Sequence, residues 1–424
     1  MLVTLGITAA ACSTTAPGQG PGKPPVLGQQ SGTPAVEGQP APAGTGQLVA
    51  VSCVGANRCW AVGTPGPGTA GTVTSSPTSS STSTRSATPS APLPSATTVI
   101  DATVDGGRTW VAQPLNLAVA PALTGISCPG ARLCMAVGLT GSASAGIVLT
   151  TSNAGSSWRA VPIPAGATVI TGVECASAID CTIIATDGTT FWSAHSNDFG
   201  HTWQRGGNLP AGLQDAGSLT CVTGGSCLVT GFTTTTAGHG QGAIVISDDG
   251  GATWTAANVP AKTGLLQSTV CATVTSCVAA GTTSTTVSAI VPAKGEVLMS
   301  QDGGRTWTRS HATPSIDDVY GISCPSPRIC AVVGTKWVGH PAIGTGGVAQ
   351  SRNGGNSFTA ATTEYTPLPL TSLACPNVRA CIGVGGDTLA RIALTKTRVG
   401  AATTSNTATT RPGGAHRPGL NGRD

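Results

Sequence analysis

Fourteen of the fifteen cysteines in this chain of 424 residues fall into seven pairs with a single spacing, C-x5-C. The pairs are Cys53 and Cys59, Cys128 and Cys134, Cys175 and Cys181, Cys221 and Cys227, Cys271 and Cys277, Cys324 and Cys330, and Cys375 and Cys381. Their flanks repeat too. GISCPGARLCMAVG, GISCPSPRICAVVG and SLACPNVRACIGVG each run apolar into the first cysteine, cross a short loop and run apolar out of the second. Self-similarity at a period near ~50 residues marks a repeat architecture, and that period suits the four-stranded blade of a β-propeller. Each unit reads as a hairpin with its two cysteines facing each other at the mouth.

A disulfide within each hairpin accounts for this pattern better than a metal does. Structural zinc normally takes four ligands at tighter C-x2-4-C spacing, whereas one hairpin supplies two thiolates and a ring keeps the hairpins of successive repeats apart. A symmetrically repeated pair is also scaffold before it is a redox site. The chain-entropy model assigns each such short loop about 2 kcal/mol, and seven of them require an oxidising compartment.

A second motif alternates with the first: TVDGGRTW, TSNAGSSW, SNDFGHTW, SDDGGATW, SQDGGRTW and SRNGGNSF, centred on Asp105, Asn153, Asp198, Asp249, Asp302 and Asn353. An Asp or Asn in a tight turn accepts backbone N–H bonds from residues just ahead, and glycine permits positive φ. The aromatic that follows, Trp110, Trp158, Trp203, Trp254, Trp307 or Phe358, then serves as a core plug. Five of the eight tryptophans occupy this one position in a chain with 3% aromatics, so they read as packing units between neighbouring blades. The pattern S/T-x-D-x-G-x-x-W resembles the Asp-box, or BNR repeat, of sialidase-like β-propellers, photosystem II assembly factors and sortilin-type ectodomains. The resemblance implies an all-β, seven-bladed propeller of four-stranded antiparallel blades with Asp-box turns and one hairpin disulfide per blade.

Spacing within the repeat separates a rigid half from a variable one. From box Asp or Asn to the next cysteine the distance is 22 or 23 residues in all six copies, whereas from the second cysteine to the next box it ranges from 17 to 46. With strands A to D in each blade, the cysteine loop joins A to B and the box joins C to D, which puts both at one end of the blade. The variable B–C connections open on the opposite face, where variable loops on a rigid frame carry binding. That face offers His239, Lys294, Glu296, Lys336, Trp337 and His340 as candidate binding residues. The seventh hairpin has no box after it. Its fourth strand is expected either from a degenerate segment near 397–403 or from the N-terminal region before Leu48.

Outside the repeats, Cys12 follows a short apolar stretch ending in three alanines, which resembles the end of a bacterial lipoprotein signal peptide and implies acylation of Cys12. Residues 13–46 are rich in Pro, Gly and Gln and read as a linker. The propeller is expected over 47–402, with residues 64–98 as a disordered Ser/Thr/Pro insert and 403–424 as a disordered tail. No segment has the ~20 apolar residues of a membrane-crossing helix, so contact with a membrane would run through the lipid anchor.

Composition narrows the function. Charged residues make up 9%, and 21 Lys+Arg stand against 17 Asp+Glu without a run longer than two, so the sequence shows no footprint for nucleic acid or anionic lipid. The six histidines show no metal spacing, and no cofactor motif is present. A sialidase-type mechanism needs an arginine triad, a Tyr nucleophile with its Glu and an acid/base Asp. Here Tyr320 stands in strand A where the second repeat has Thr124, Glu364 and Tyr365 are sequence neighbours that point apart on an extended backbone, and the arginines belong mostly to the repeats. The sequence therefore reads as a non-enzymatic, monomeric, extracytoplasmic binding or scaffold propeller, secreted or lipid-anchored, that recognises a protein or cell-envelope glycan. The alternatives are a sialidase-like glycoside hydrolase and an assembly factor for a membrane complex, the latter requiring a large patch of arginines on one face.

Overall fold

The computed structural model describes residues 35–65, 99–117, 119–140, 145–234, 240–285, 293–339, 343–360, 366 and 368–394. Cys12, the 66–98 part of the insert, residues 395–402 of the expected propeller, the 403–424 tail, His239 and His340 lie outside the described residues. Within them the runs flanking each cysteine pair form strands, as their β-branched and small apolar residues favour, and the strands assemble into seven four-stranded antiparallel sheets. The protein is a seven-bladed β-propeller.

The inner strands A are Gln47–Val54, Ala122–Gly130, Val169–Cys175, Leu213–Cys221, Leu266–Cys271, Asp318–Ser323 and Ser372–Asn377. Each meets its neighbour through a side chain on one strand and the backbone of the other. Ser52 accepts from the Cys128 N–H (3.1 Å) and Ser127 from Cys175 (3.0 Å). Thr171 donates to the Ala216 carbonyl (2.8 Å), and Ser218 accepts from Thr269 (3.0 Å). Ser268 accepts from Ile322 (3.4 Å), Ser323 from Cys375 (3.0 Å), and Ser372 from Val51 (3.3 Å). The last of these joins blade 7 to blade 1 and completes the ring. All seven cysteine pairs are disulfides closing the A–B hairpins, with Cα–Cα separations of 3.9 to 4.1 Å.

The fourth strand of blade 7 is Ala35–Pro40, supplied from the N-terminal side. The propeller therefore begins twelve residues before position 47, inside the stretch that composition alone reads as a linker (47 − 35 = 12). All six residues pair, from Ala35 with Ala393 to Pro40 with Thr388. Proline and glycine are tolerated because this is the outermost strand of its sheet, where an unpaired backbone edge faces outward. The strand is tied sideways as well. Arg391 bridges to Glu37 (2.6 Å) and donates to the Gly106 carbonyl (3.0 Å) of blade 1, and Gln39 donates to Gly107 (2.6 Å).

Seven hydrophobic clusters fill the seams between blades. Between blades 1 and 2, Trp60, Ile100, Leu123, Leu149 and Trp158 come together; between blades 4 and 5, Leu228, Ile244, Leu298 and Trp307 do. In six seams the turn aromatic of the following blade belongs to the cluster: Trp110, Trp158, Trp203, Trp254, Trp307 and Phe358. In the seam of blades 6 and 7, where no such turn exists, Leu394 and Val36 take part instead.

Each C–D turn is built by its own side chains. In blade 5, the Ser300 hydroxyl donates to Asp302 (2.7 Å) and accepts from the Gly304 N–H (2.8 Å), while Asp302 accepts from the Thr306 N–H (2.9 Å) and hydroxyl (2.6 Å). Hydrogen bonds from Thr109, Thr202, Thr253 and Thr306 hold the carboxyls of Asp105, Asp198, Asp249 and Asp302 below the usual carboxylate range. The turn also serves the seam. Gly304 has φ +92°, and a Cβ there would lie 2.5 Å from Leu228 Cδ2 of blade 4; at Gly200 it would lie 2.9 Å from Met135 of blade 2. Glycine is thus required twice, for its backbone and for its missing side chain. Gly304→Ala should lower stability by about 2 kcal/mol through strain and overpacking, read as an earlier urea midpoint; an unchanged midpoint would remove the seam argument.

One buried carboxyl latches the connection between the closing strand and blade 1. Asp101 is fully buried and accepts from the Thr45 hydroxyl at 3.1 and 2.9 Å. Burial pushes its pKa up to about 6, against a smaller lowering by Thr45. Because the folded value lies above the unfolded 3.8, the folded state holds the extra proton. The associated stability, up to about 3 kcal/mol, is complete below pH ~3.8 and lost as pH rises through ~6. Asp101→Asn should flatten this part of the stability curve and raise the melting temperature at pH 7 relative to the parent chain; equal pH dependence in both proteins would contradict the assignment.

Candidate functional site

The B–C hairpins and D–A connections share the face opposite the disulfide loops. Its longest described hairpin belongs to blade 6, where strands Cys330–Val338 and Ile343–Ser351 pair over nine residues each. This hairpin carries Lys336 and Trp337. Both are half-buried and both are fixed by the acidic pair that opens strand A of the same blade. Lys336 Nζ lies 3.1 Å from Asp317 Oδ1. The backbone N–H of Trp337 donates to Asp317 Oδ2 (2.8 Å), and its indole N–H donates to Asp318 Oδ2 (2.9 Å). The indole is held by its polar edge, a geometry that pre-orients an aromatic surface instead of leaving it to be ordered on binding.

Tyr320 follows two residues on. It is the bulged residue between the pairs Val319–Gly334 and Gly321–Val333, the position that Thr124 occupies in blade 2. Burial raises its phenol pKa, with the Asp318 charge adding to this and a hydrogen bond with Thr335 opposing it. Two blades earlier, Asp215 lies near the start of the inner strand at the same end, and burial raises its carboxyl as well. Tyr320 stands where the sequence places it, whereas Asp317, Asp318 and Asp215 are not among the candidates the sequence offers. The signal for Asp317 and Asp318 was available, because adjacent acids at the start of an A strand occur in this repeat alone.

The blade 5 candidates separate. Lys294 is exposed, and its backbone exchanges hydrogen bonds with Thr283. Glu296 is 3% exposed: its carboxylate takes the Arg309 Nε (2.7 Å) and the Gly264 N–H (2.8 Å). Arg309 also reaches the Ala261 carbonyl (2.9 Å). Glu296 therefore fastens the connection between blades 4 and 5 and does not reach the surface. Lys336 and Trp337 are brought together in one cluster, while Lys294 stands on the neighbouring blade.

The sequence matches no protein-family model and no curated relative. Solved structures do resemble it. One is YCF48 bound to D1 peptide, at 14% identity, TM-score 0.56, covering 85% of this chain and 95% of that one. Another is YCF48 from Cyanidioschyzon merolae, at 11% identity and TM-score 0.56, over 85% and 99%. A third is the GH74 xyloglucanase from Xanthomonas campestris, at 11% identity and TM-score 0.56, over 83% of this chain and 53% of that one. What they share is the fold. The chain spans about half the length of that enzyme, and YCF48 and a xyloglucanase resemble it equally well in backbone.

Proposed function

We propose that this protein is a non-enzymatic, extracytoplasmic binding or scaffold propeller that engages a protein or a cell-envelope glycan through its B–C face. The observation that carries the reading is the blade 6 cluster, in which Asp317 and Asp318 hold Lys336 and Trp337 in place at the rim. An anchored tryptophan beside a charged pair is a binding-surface arrangement, since aromatic and charged anchors dominate recognition when their rotamers are fixed beforehand. Seven disulfides support a site of action outside the reducing cytoplasm, and acylation of Cys12 would keep the ring at a membrane. Kinship with Asp-box propellers rests on the turn motif. A propeller of the same backbone, YCF48, has been solved with a peptide bound, which favours a polypeptide ligand.

The test is a peptide and glycan array probed with the full chain carrying Cys12→Ser, followed by titration of the best hit. Trp337→Ala is expected to weaken that interaction by tenfold or more, as loss of a ~2 kcal/mol anchor implies. Equal affinity in the variant would move the site elsewhere, and turnover of a fluorogenic sialoside or of xyloglucan would replace the binding reading with the hydrolase one.

A further inference from the structure

The disulfide-loop face carries a charge pattern that the repeat period scatters along the sequence. Arg58, Arg132, Arg328 and Arg379 sit in the disulfide loops of blades 1, 2, 6 and 7, and Arg108 and Arg352 in the C–D turns of blades 1 and 6. These four blades are consecutive around the ring, in the order 6, 7, 1, 2. Blades 3 and 4 present the opposite sign at the same positions, with Asp180, Asp198, Asp248 and Asp249, and blade 5 carries Asp302 and Arg305, the latter paired to Asp248 (2.8 Å). One face is therefore basic over four blades, acidic over blades 3 and 4, and balanced over blade 5, where Asp302 and Arg305 offset each other.

The turns themselves reinforce this division. Within the basic arc the central turn position is ionised only at Asp105, because blades 2 and 6 place Asn153 and Asn353 there and blade 7 has no such turn. The asparagines build the same turn as the aspartates. Asn153 accepts from the Ser157 N–H (3.0 Å) and the Thr151 hydroxyl (2.8 Å), and Asn353 accepts from Ser357 (2.9 Å) and Ser351 (2.9 Å). Asparagine thus preserves the geometry and removes the charge in these two blades.

Both ends of the described chain depart from the middle of the basic arc. Ala35 pairs with Ala393 at the turn end of blade 7. The Leu394 N–H donates to the Arg379 carbonyl (2.7 Å), as turn N–H groups in blades 2 and 6 donate to Arg132 and Arg328 (3.0 Å each). The described chain therefore starts and ends beside Arg379.

We infer that this arc docks the ring on the anionic surface of a lipid bilayer, with blades 6, 7, 1 and 2 toward the phosphates and blades 3 to 5 tilted away. Single arginines repeated at one level on a broad face suit a planar array of mobile charges. Attraction of this kind weakens with salt and grows with each basic group near the surface. The docking is independent of acylation at Cys12 and of the B–C face, which would remain turned away from the membrane and open to its ligand.

The experiment is co-sedimentation of the full chain carrying Cys12→Ser with vesicles of phosphatidylcholine alone and of an equal mixture with phosphatidylglycerol. The expected result is binding to the mixed vesicles only, lost at high salt. Arg58→Ala, Arg132→Ala and Arg379→Ala together should weaken it by about a hundredfold, about fivefold each, while Asp180→Asn with Asp248→Asn should not weaken it. Matching urea midpoints establish that each variant is folded, and Arg132→Ala with Arg328→Ala serves as a second arginine variant, expected to lose about 25-fold. Equal binding to both vesicle types, or unchanged binding by both arginine variants, would overturn the inference. So would capture of polyglutamate, but not of vesicles, through the same arginines.

Discussion

The whole architecture depends on one constraint: the seventh blade has to meet the first. Each four-stranded sheet has two apolar faces, and a blade at the end of an open row would leave one of them in water. Closure removes that face, and here it is achieved by borrowing Ala35–Pro40 from the N-terminal side to complete blade 7. The borrowed strand is longer than the outer strands of the other six blades, which run two to five residues, and it pairs along its full length. The seam it guards is also the one bridged to blade 1 by Arg391 and Gln39.

Cohesion between blades explains how a chain with so few charges holds together. The seams are filled by apolar strands, turn aromatics and glycines whose missing side chains admit the neighbour. Inner strands are linked by hydroxyl groups placed against backbone N–H and carbonyl groups. Ion pairs such as Arg391–Glu37 and Arg305–Asp248 lie at the surface, where such pairs contribute little. The disulfides act within single hairpins, so they stiffen the repeat and leave its stacking to the seams.

Local features were legible in the sequence, and non-local ones were not. The C-x5-C hairpins, the Asp or Asn turns, the blade count and the interblade role of Trp158 or Trp254 all follow from spacing within one repeat. The N-terminal region before Leu48 is one of two sources the sequence offers for the closing strand, but AVEGQP at 35–40 has the composition of a linker, and nothing near it singles out Thr388–Ala393 as its partner. Glu296 looks available in sequence because the groups that occupy its carboxylate come from other segments, Gly264 of the connection from blade 4 and Arg309 of the next strand. Tyr320 was placed at the Thr124 position, as the bulge register bears out, yet its neighbours Asp317 and Asp318 went unmarked. The arginines looked scattered because equivalent positions lie a blade apart in sequence and side by side on one face in space.

The two faces of the ring thus have separate chemistry on one frame, a pre-oriented aromatic and charged cluster on one side and a polarised charge distribution on the other. Both stand on a ring whose seventh blade is completed by the closing strand. Hydrogen exchange tests that closure directly. The inward-facing amides of residues 35–39, resolved residue by residue, are expected to exchange as slowly as those of the facing 388–393 and to lose protection only when the whole ring unfolds. Rapid exchange of these amides while the inner strands stay protected would mean that the ring is not held by this strand, and would contradict the account.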